Sequence, residues 1–175
     1  LSTNGTMNWH EYFTYDQATG NLLWSERPRD HFKTENGWRC SMFCYAGKVA
    51  GSTATHGYIT VRVNYKLYYA HRIIWEMLYG PIPEGMQVDH IDMDRANNRP
   101  GNMRLANNAQ NNSNRGLQSN NTSGYKGVSW DKSKRKWAVQ IKVGQKNIHL
   151  GRYDNIEEAV VVRQKATEYY HGQFA

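Results

Sequence analysis

Residues 88–112 read VDHIDMDRANNRPGNMRLANNAQNN. Asp89 and His90 stand side by side, Asn102 follows His90 by twelve residues, and Asn111 comes nine further on. Hydrolysis of a phosphodiester needs a water that loses a proton near neutral pH, which suits a histidine. It also needs a hard cation against the charge that grows on the phosphate and on the leaving oxygen. Such a cation takes oxygen ligands, so a carboxylate and an amide carbonyl fit Mg²⁺ or Mn²⁺ better than zinc. Neighbours on an extended strand project to opposite faces, so one of Asp89 and His90 can hold metal while the other faces the attacking water. Asn111, on a helix after Leu105, could close the metal site. A calcium loop is excluded, because Arg95 stands where such a loop needs glycine and no glutamate completes it.

The rest of the 175-residue chain limits the company this segment can keep. Lys and Arg number 22 against 15 Asp and Glu, a net charge of +7, which favours a polyanionic partner. Hydrophobic residues make up 39% with no run near eighteen residues, so no membrane span is expected. The start, LSTNGTMNWHEYF, lacks the basic and apolar regions of a secretory leader, and the six residues before Met7 are set aside. Aromatics reach 13%, too many for a disordered basic tail. Cys40 and Cys44 are the only cysteines and have no second pair, so no structural zinc is expected. A site shared with His31 or His56 ranks below reduced, partly buried thiols.

Composition shifts near residue 107, where NNAQNNSNRGLQSNNTSG is crowded with turn-forming residues. From Asn120 onward, 10 Lys/Arg meet 5 Asp/Glu, so the smaller C-terminal piece carries +5 of the +7. Upstream, YFTYDQATGNLLW signals a hairpin about Gly20, GYITVRV alternates like a half-buried strand, and LYYA follows it as another. AHRIIWEMLYG reads as a short helix that ends at Gly80-Pro81. Downstream, YKGVSW, KWAVQIKV and NIHLGRY read as three strands. Trp137, Val139, Ile141 and Val143 point inward, while Lys136, Ala138, Gln140 and Lys142 point outward. Trp130 could be core or groove contact. Asp154, with Glu157 three residues on, predicts a helix cap and a helix to about Tyr170, packed through Ile156, Ala159, Val160, Ala166 and Tyr170.

The Asp-His…Asn…Asn pattern resembles the HNH nuclease motif, a β-β-α-metal finger, in the form familiar from phage and intron-encoded homing endonucleases. GYITVRV…AHRIIWEMLYGPIP resembles their lead-in, so the likeness spans roughly residues 10–115. It implies that His90 is the general base, that Asp89 and Asn111 hold one Mg²⁺ or Mn²⁺, and that Asn102 braces the loop. His71 matches a position often filled by histidine, with no role to transfer. Arg99, Arg104 and Arg115 are candidate phosphate contacts.

SGYKGVSWDKSKRKWAVQIKVGQKNIHLGRYDNIEEAVVVRQKATEYYHG resembles the ethylene-response-factor (Apetala) type of DNA-binding domain through YKGV, KWAVQI, HLGRYD and EEA. That likeness implies that the sheet enters the major groove. The matching surface is Lys126, Gly127, Ser129, Gln140, Lys142, Asn147 and His149, flanked by Lys132, Lys134, Arg135 and Arg152. Ser129 and Asn147 stand where the plant domains carry base-reading arginines, and Gln140 replaces a glutamate, so the plant target does not transfer.

The expected fold class is α+β: an HNH nuclease domain with extra strands and a short helix over 8–115, a linker over 116–122, and a three-stranded antiparallel sheet packed on one helix over 123–175. The expected activity is a metal-dependent homing-type endonuclease on double-stranded DNA. A single centre favours nicking. The rivals are a non-catalytic DNA-binding regulator on the same scaffold and an RNA-directed nuclease. No small-molecule cofactor and no membrane partner are expected. The protein should be a monomer or weak dimer in the cytoplasm, that of a bacterial host if it is phage-encoded.

Overall fold

The computed structural model describes residues 7–114, 116–117 and 119–172. The class is α+β, with small antiparallel sheets and four α-helices among the described residues. Two compact units divide the chain, the first ending at Leu105 and the second beginning at Ala106.

In the first unit, β1 (Phe13–Asp16) and β2 (Asn21–Trp24) form the hairpin expected around Gly20, in register from Phe13↔Trp24 to Asp16↔Asn21. Asp16 closes the turn by accepting from the Ala18 N–H at 3.0 Å and the Thr19 hydroxyl at 2.6 Å. Helix α1 (Glu35–Tyr45) had no counterpart in the sequence reading. ENGWRCSMFCY has no clean apolar stripe and buries only Ser41; its legible signal is Thr34, whose hydroxyl accepts from the Gly37 N–H at 3.1 Å. Cys40 and Cys44 lie one turn apart on it as free thiols, with Sγ atoms 3.8 Å apart.

β3 (Ser52–Thr53), β4 (Ile59–Val63) and β5 (Lys66–Tyr69) make an antiparallel sheet in that order. Val61 and Val63 are buried and Arg62 is exposed, while Thr60, on the Arg62 side of the strand, is also buried. Asn64 and Tyr65 join β4 to β5 with φ of 47° and 65°, the two positive values that a tight hairpin of matching twist requires. Helix α2 (Ala70–Tyr79) follows directly and buries Ala70, His71, Ile73 and Ile74, stopping at Gly80. Ala70, Ile73 and Ile74 meet Phe13, Leu22, Val61, Val63, Val88 and Met103 in one core. β6 (Met86–His90) pairs with β7 (Met103–Asn107).

The second unit opens with α3 (Asn108–Ser113). Asn107 caps it in a reciprocal box with Gln110. β8 (Val128–Asp131), β9 (Lys136–Val143) and β10 (Lys146–Tyr153) form an antiparallel sheet in the order β10-β9-β8. Helix α4 (Ile156–His171) packs on it, with Val128, Val139 and Ala159 buried together. Gly127, at φ 73°, is required here. A Cβ at this position would run into the Gln140 carbonyl and lie 2.6 Å from Arg163 Nε.

Two expectations for α4 need correction. Asn155, not Asp154, caps the helix by accepting from the Glu157 N–H at 2.7 Å, while Asp154 pairs with Lys136 at 3.0 Å. Tyr170 is exposed, and the packed face instead includes Arg163. The Arg163 guanidinium reaches Thr167, its Nε has no partner, and burial lowers its pKa.

Candidate active site

β6 delivers Asp89 and His90 in succession at its C-terminal end, and both are buried. Asp89 meets Arg104 on the paired strand β7. Its Oδ2 accepts from Arg104 Nε and Nη2, each at 3.0 Å. Arg104, read from sequence as a phosphate contact, is thus held by the carboxylate beside His90.

His90 turns into a separate cluster. Its Nε2 lies 2.9 Å from Oδ1 of Asn98, which is itself buried. An amide oxygen only accepts, so this contact favours the tautomer with the proton on Nε2. The His71 ring stands edge-on to His90 with centroids 5.1 Å apart, and Tyr58 stacks at an angle against both histidines. Burial, and after it the neighbouring His90 and Arg72, pushes the His71 pKa down to about 3. Its Nδ1 is buried with no partner.

The loop between β6 and β7 is tied by Asn102. Its Oδ1 accepts from the Asp92 N–H at 3.1 Å, and its Nδ2 donates to Asp92 Oδ1 at 2.9 Å and to the Asn97 carbonyl at 2.8 Å. Asn97 closes the ring by donating to Asp92 Oδ2 at 2.7 Å. Burial works against the Asp92 carboxylate, but the bonds from Asn97, Asn102 and the Asp94 N–H outweigh it and lower its pKa. With both oxygens so engaged, Asp92 serves the loop.

Asn111 lies half-buried on α3, in the second unit. Arg115 lies outside the described residues. No group of three or more His, Cys, Asp and Glu side chains gathers among the described residues. A carboxylate such as that of Asp89 and an amide oxygen such as that of Asn111 are each hard donors of the kind that suits Mg²⁺ or Mn²⁺ better than zinc. The sequence reading missed Asn98 and the Asp89–Arg104 pair. The available signal was spacing: Asn98 comes eight residues after His90, far enough for a loop to return it to the strand end.

In the second unit, Lys126, Ser129, Gln140, Lys142, Asn147 and His149 are exposed. Gln140 registers with His149 and Lys142 with Asn147 across β9 and β10. The turn residues Lys132, Lys134 and Arg135 are exposed too. Arg152 is taken up in part by Asp131, at 2.9 Å. Bonds from Ser133 and Arg152 hold that carboxyl at about 2. His149 Nδ1 lies 3.0 Å from the Val139 carbonyl. Trp130 is half out of water and meets Trp137 edge-to-face at 5.1 Å.

A β-strand pair that presents Asp-His at its end, with an asparagine-tied loop and a following helix, is the layout of an HNH endonuclease domain, and the HNH endonuclease family matches residues 68–113. The chain is also 36% identical over 119 residues to Protein 3.8 of Escherichia phage T7, covering 98% of that protein and 66% of this chain. It therefore belongs to the Protein 3.8 family. No solved structure matches it. No helix among the described residues is long and apolar enough to cross a membrane.

Proposed function

We propose that the protein is a divalent-metal-dependent, homing-type endonuclease that nicks double-stranded DNA. In this reading a nuclease module over 8–115 is joined through 116–122 to an ethylene-response-factor-like DNA-binding module over 123–175. It works in the cytoplasm of an infected cell as a monomer or weak dimer. The observation that carries the reading is the buried His90, whose Nε2 is engaged by Asn98 while its neighbour Asp89 is engaged by Arg104.

His90 then accepts the proton of the attacking water. Asp89 and Asn111 would hold Mg²⁺ or Mn²⁺, which when bound stabilises charge on the scissile phosphate and the departing oxygen. Arg104 orients the Asp89 carboxylate and offsets its charge until then. Asn102 keeps the loop in shape. The exposed face of β8–β10 supplies Gln140, Lys142, Asn147 and His149 to base edges and Lys132, Lys134 and Arg135 to phosphates. One centre cuts one strand.

The test is cleavage of supercoiled plasmid with Mg²⁺, with Mn²⁺ and with EDTA, with His90→Ala beside the parent. Metal-dependent open circles that disappear in the variant are expected. Cutting by His90→Ala at the parental rate would remove the histidine from its role, and a linear product would replace the nick with paired cuts.

A further inference from the structure

The family match begins at residue 68, yet the loop that meets His90 is gripped by the hairpin β1–β2, more than forty residues upstream. The Tyr15 hydroxyl donates to the Asn98 carbonyl at 2.8 Å. Arg99 Nε donates to the Ala18 carbonyl, in the hairpin turn, at 3.0 Å. Gly20 sits so close beneath that a Cβ there would lie 3.1 Å from Arg99 N and 3.2 Å from Asn98 C. Burial, with the nearby Tyr79 and Asp16, raises the Tyr15 pKa to about 12, so the phenol remains a donor at any working pH.

We propose that Asn98 is a positioning residue that fixes the ring of His90, and that the hairpin β1–β2 is part of the catalytic architecture because it holds Asn98 in place. This rests on the reading of His90 as the base. The physical case is a chain of short contacts that runs from the hairpin to His90. Buried His90 bonds Asn98 at 2.9 Å, the Asn98–Arg99 peptide is held against the hairpin by the Tyr15 phenol and the Gly20 surface, and the Arg99 side chain is held by the Ala18 carbonyl. A general base works only while its lone pair is aimed at the water, and a misplacement of about 1 Å can cost about 100-fold in rate. Asn98 touches neither metal nor substrate in this scheme; it acts through His90. The Asn102–Asp92–Asn97 ring shapes the loop from within, whereas the hairpin sets where the loop stands.

The experiment uses the full chain with four changes. Asn98→Leu keeps the shape and removes the acceptor, Asn98→Asp keeps an acceptor, Tyr15→Phe removes only the hydroxyl, and His90→Ala is the reference. Thermal melts confirm folding. Imidazole ¹⁵N spectra of the metal-free protein read the His90 tautomer, and plasmid nicking separates kcat from KM. We expect the Nε2-protonated signature in the parent and in Asn98→Asp, and its collapse to a tautomer mixture in Asn98→Leu. We expect kcat about 10- to 100-fold lower in Asn98→Leu with KM unchanged, and a smaller loss of the same kind in Tyr15→Phe. Unchanged His90 signals in Asn98→Leu would overturn the inference. So would parental kcat in that variant while His90→Ala is dead, and this second result would leave the nuclease reading standing. If the parent does not nick, or His90→Ala still does, the nuclease reading fails, and the spectra alone decide whether Asn98 fixes the ring.

Discussion

Arg104 grips Asp89 through two nitrogens, each 3.0 Å from the same carboxylate oxygen, and both side chains lie largely out of water. Such a pair is costly to break from one side, because the survivor is left charged and buried. Arg104→Met should destabilise the first unit by about 3–5 kcal/mol. The double change with Asp89→Asn should recover much of that loss. Urea denaturation of the four proteins in the cycle measures it, and additive losses would show that the pair is not coupled.

His71 gives the first unit a defined acid sensitivity. It stays neutral in the folded protein down to about pH 3, whereas its unperturbed value is 6.5. Between these values the unfolded chain binds the extra proton, so stability is complete above about 6.5 and declines as pH falls toward 3. His71→Phe should flatten that decline. Melting curves at several pH values check it, and parallel slopes for parent and variant would refute it.

Gly127 and Gly124 form a matched pair. Both sit at positive φ, 73° and 78°, but a Cβ at Gly124 meets nothing within 4 Å, while one at Gly127 strikes β9 and Arg163. Gly124→Ala should cost the second unit about 1–2 kcal/mol, the backbone penalty alone. Gly127→Ala should cost clearly more. Equal losses in chemical denaturation would mean that the neighbours of Gly127 give way freely.

The proposed DNA face separates charge from readout. Replacing Lys132 and Lys134 with Ala should lower the slope of log K against log salt by about two, with affinity falling alike for all sequences. Gln140→Ala should leave that slope intact and relax discrimination at one base pair by about 1–3 kcal/mol. Binding titrations over a range of salt distinguish the two, and a changed slope for Gln140→Ala would argue against its facing a base.

Whatever depends on neighbours a few residues apart is legible along the chain alone. Strict alternation in KWAVQIKV is enough to make β9 and to name Val139 and Ile141 as core, and Gly20 in a polar run is enough to turn a hairpin. The spacing of Asp89, His90 and Asn102 singled them out because backbone geometry alone puts the first two on opposite faces of a strand end. Choices among near-equals were decided by tertiary structure. Asp154 and Asn155 are both good caps, and Lys136, eighteen residues away in sequence, drew Asp154 off. Tyr170 fits an apolar face on paper but is exposed, and Arg163 is buried instead, in the space beside Gly127. The partners of the histidine and of the carboxylate belong to the same class. Tyr15 and Asn98 are 83 residues apart in the chain, and nothing periodic or local in either segment encodes their meeting. Such pairings follow from which surfaces remain once the core of Phe13, Leu22, Val61, Ile73 and Val88 has closed. A hydrogen bond selects its partner by proximity, and proximity at that range is a property of the packed chain.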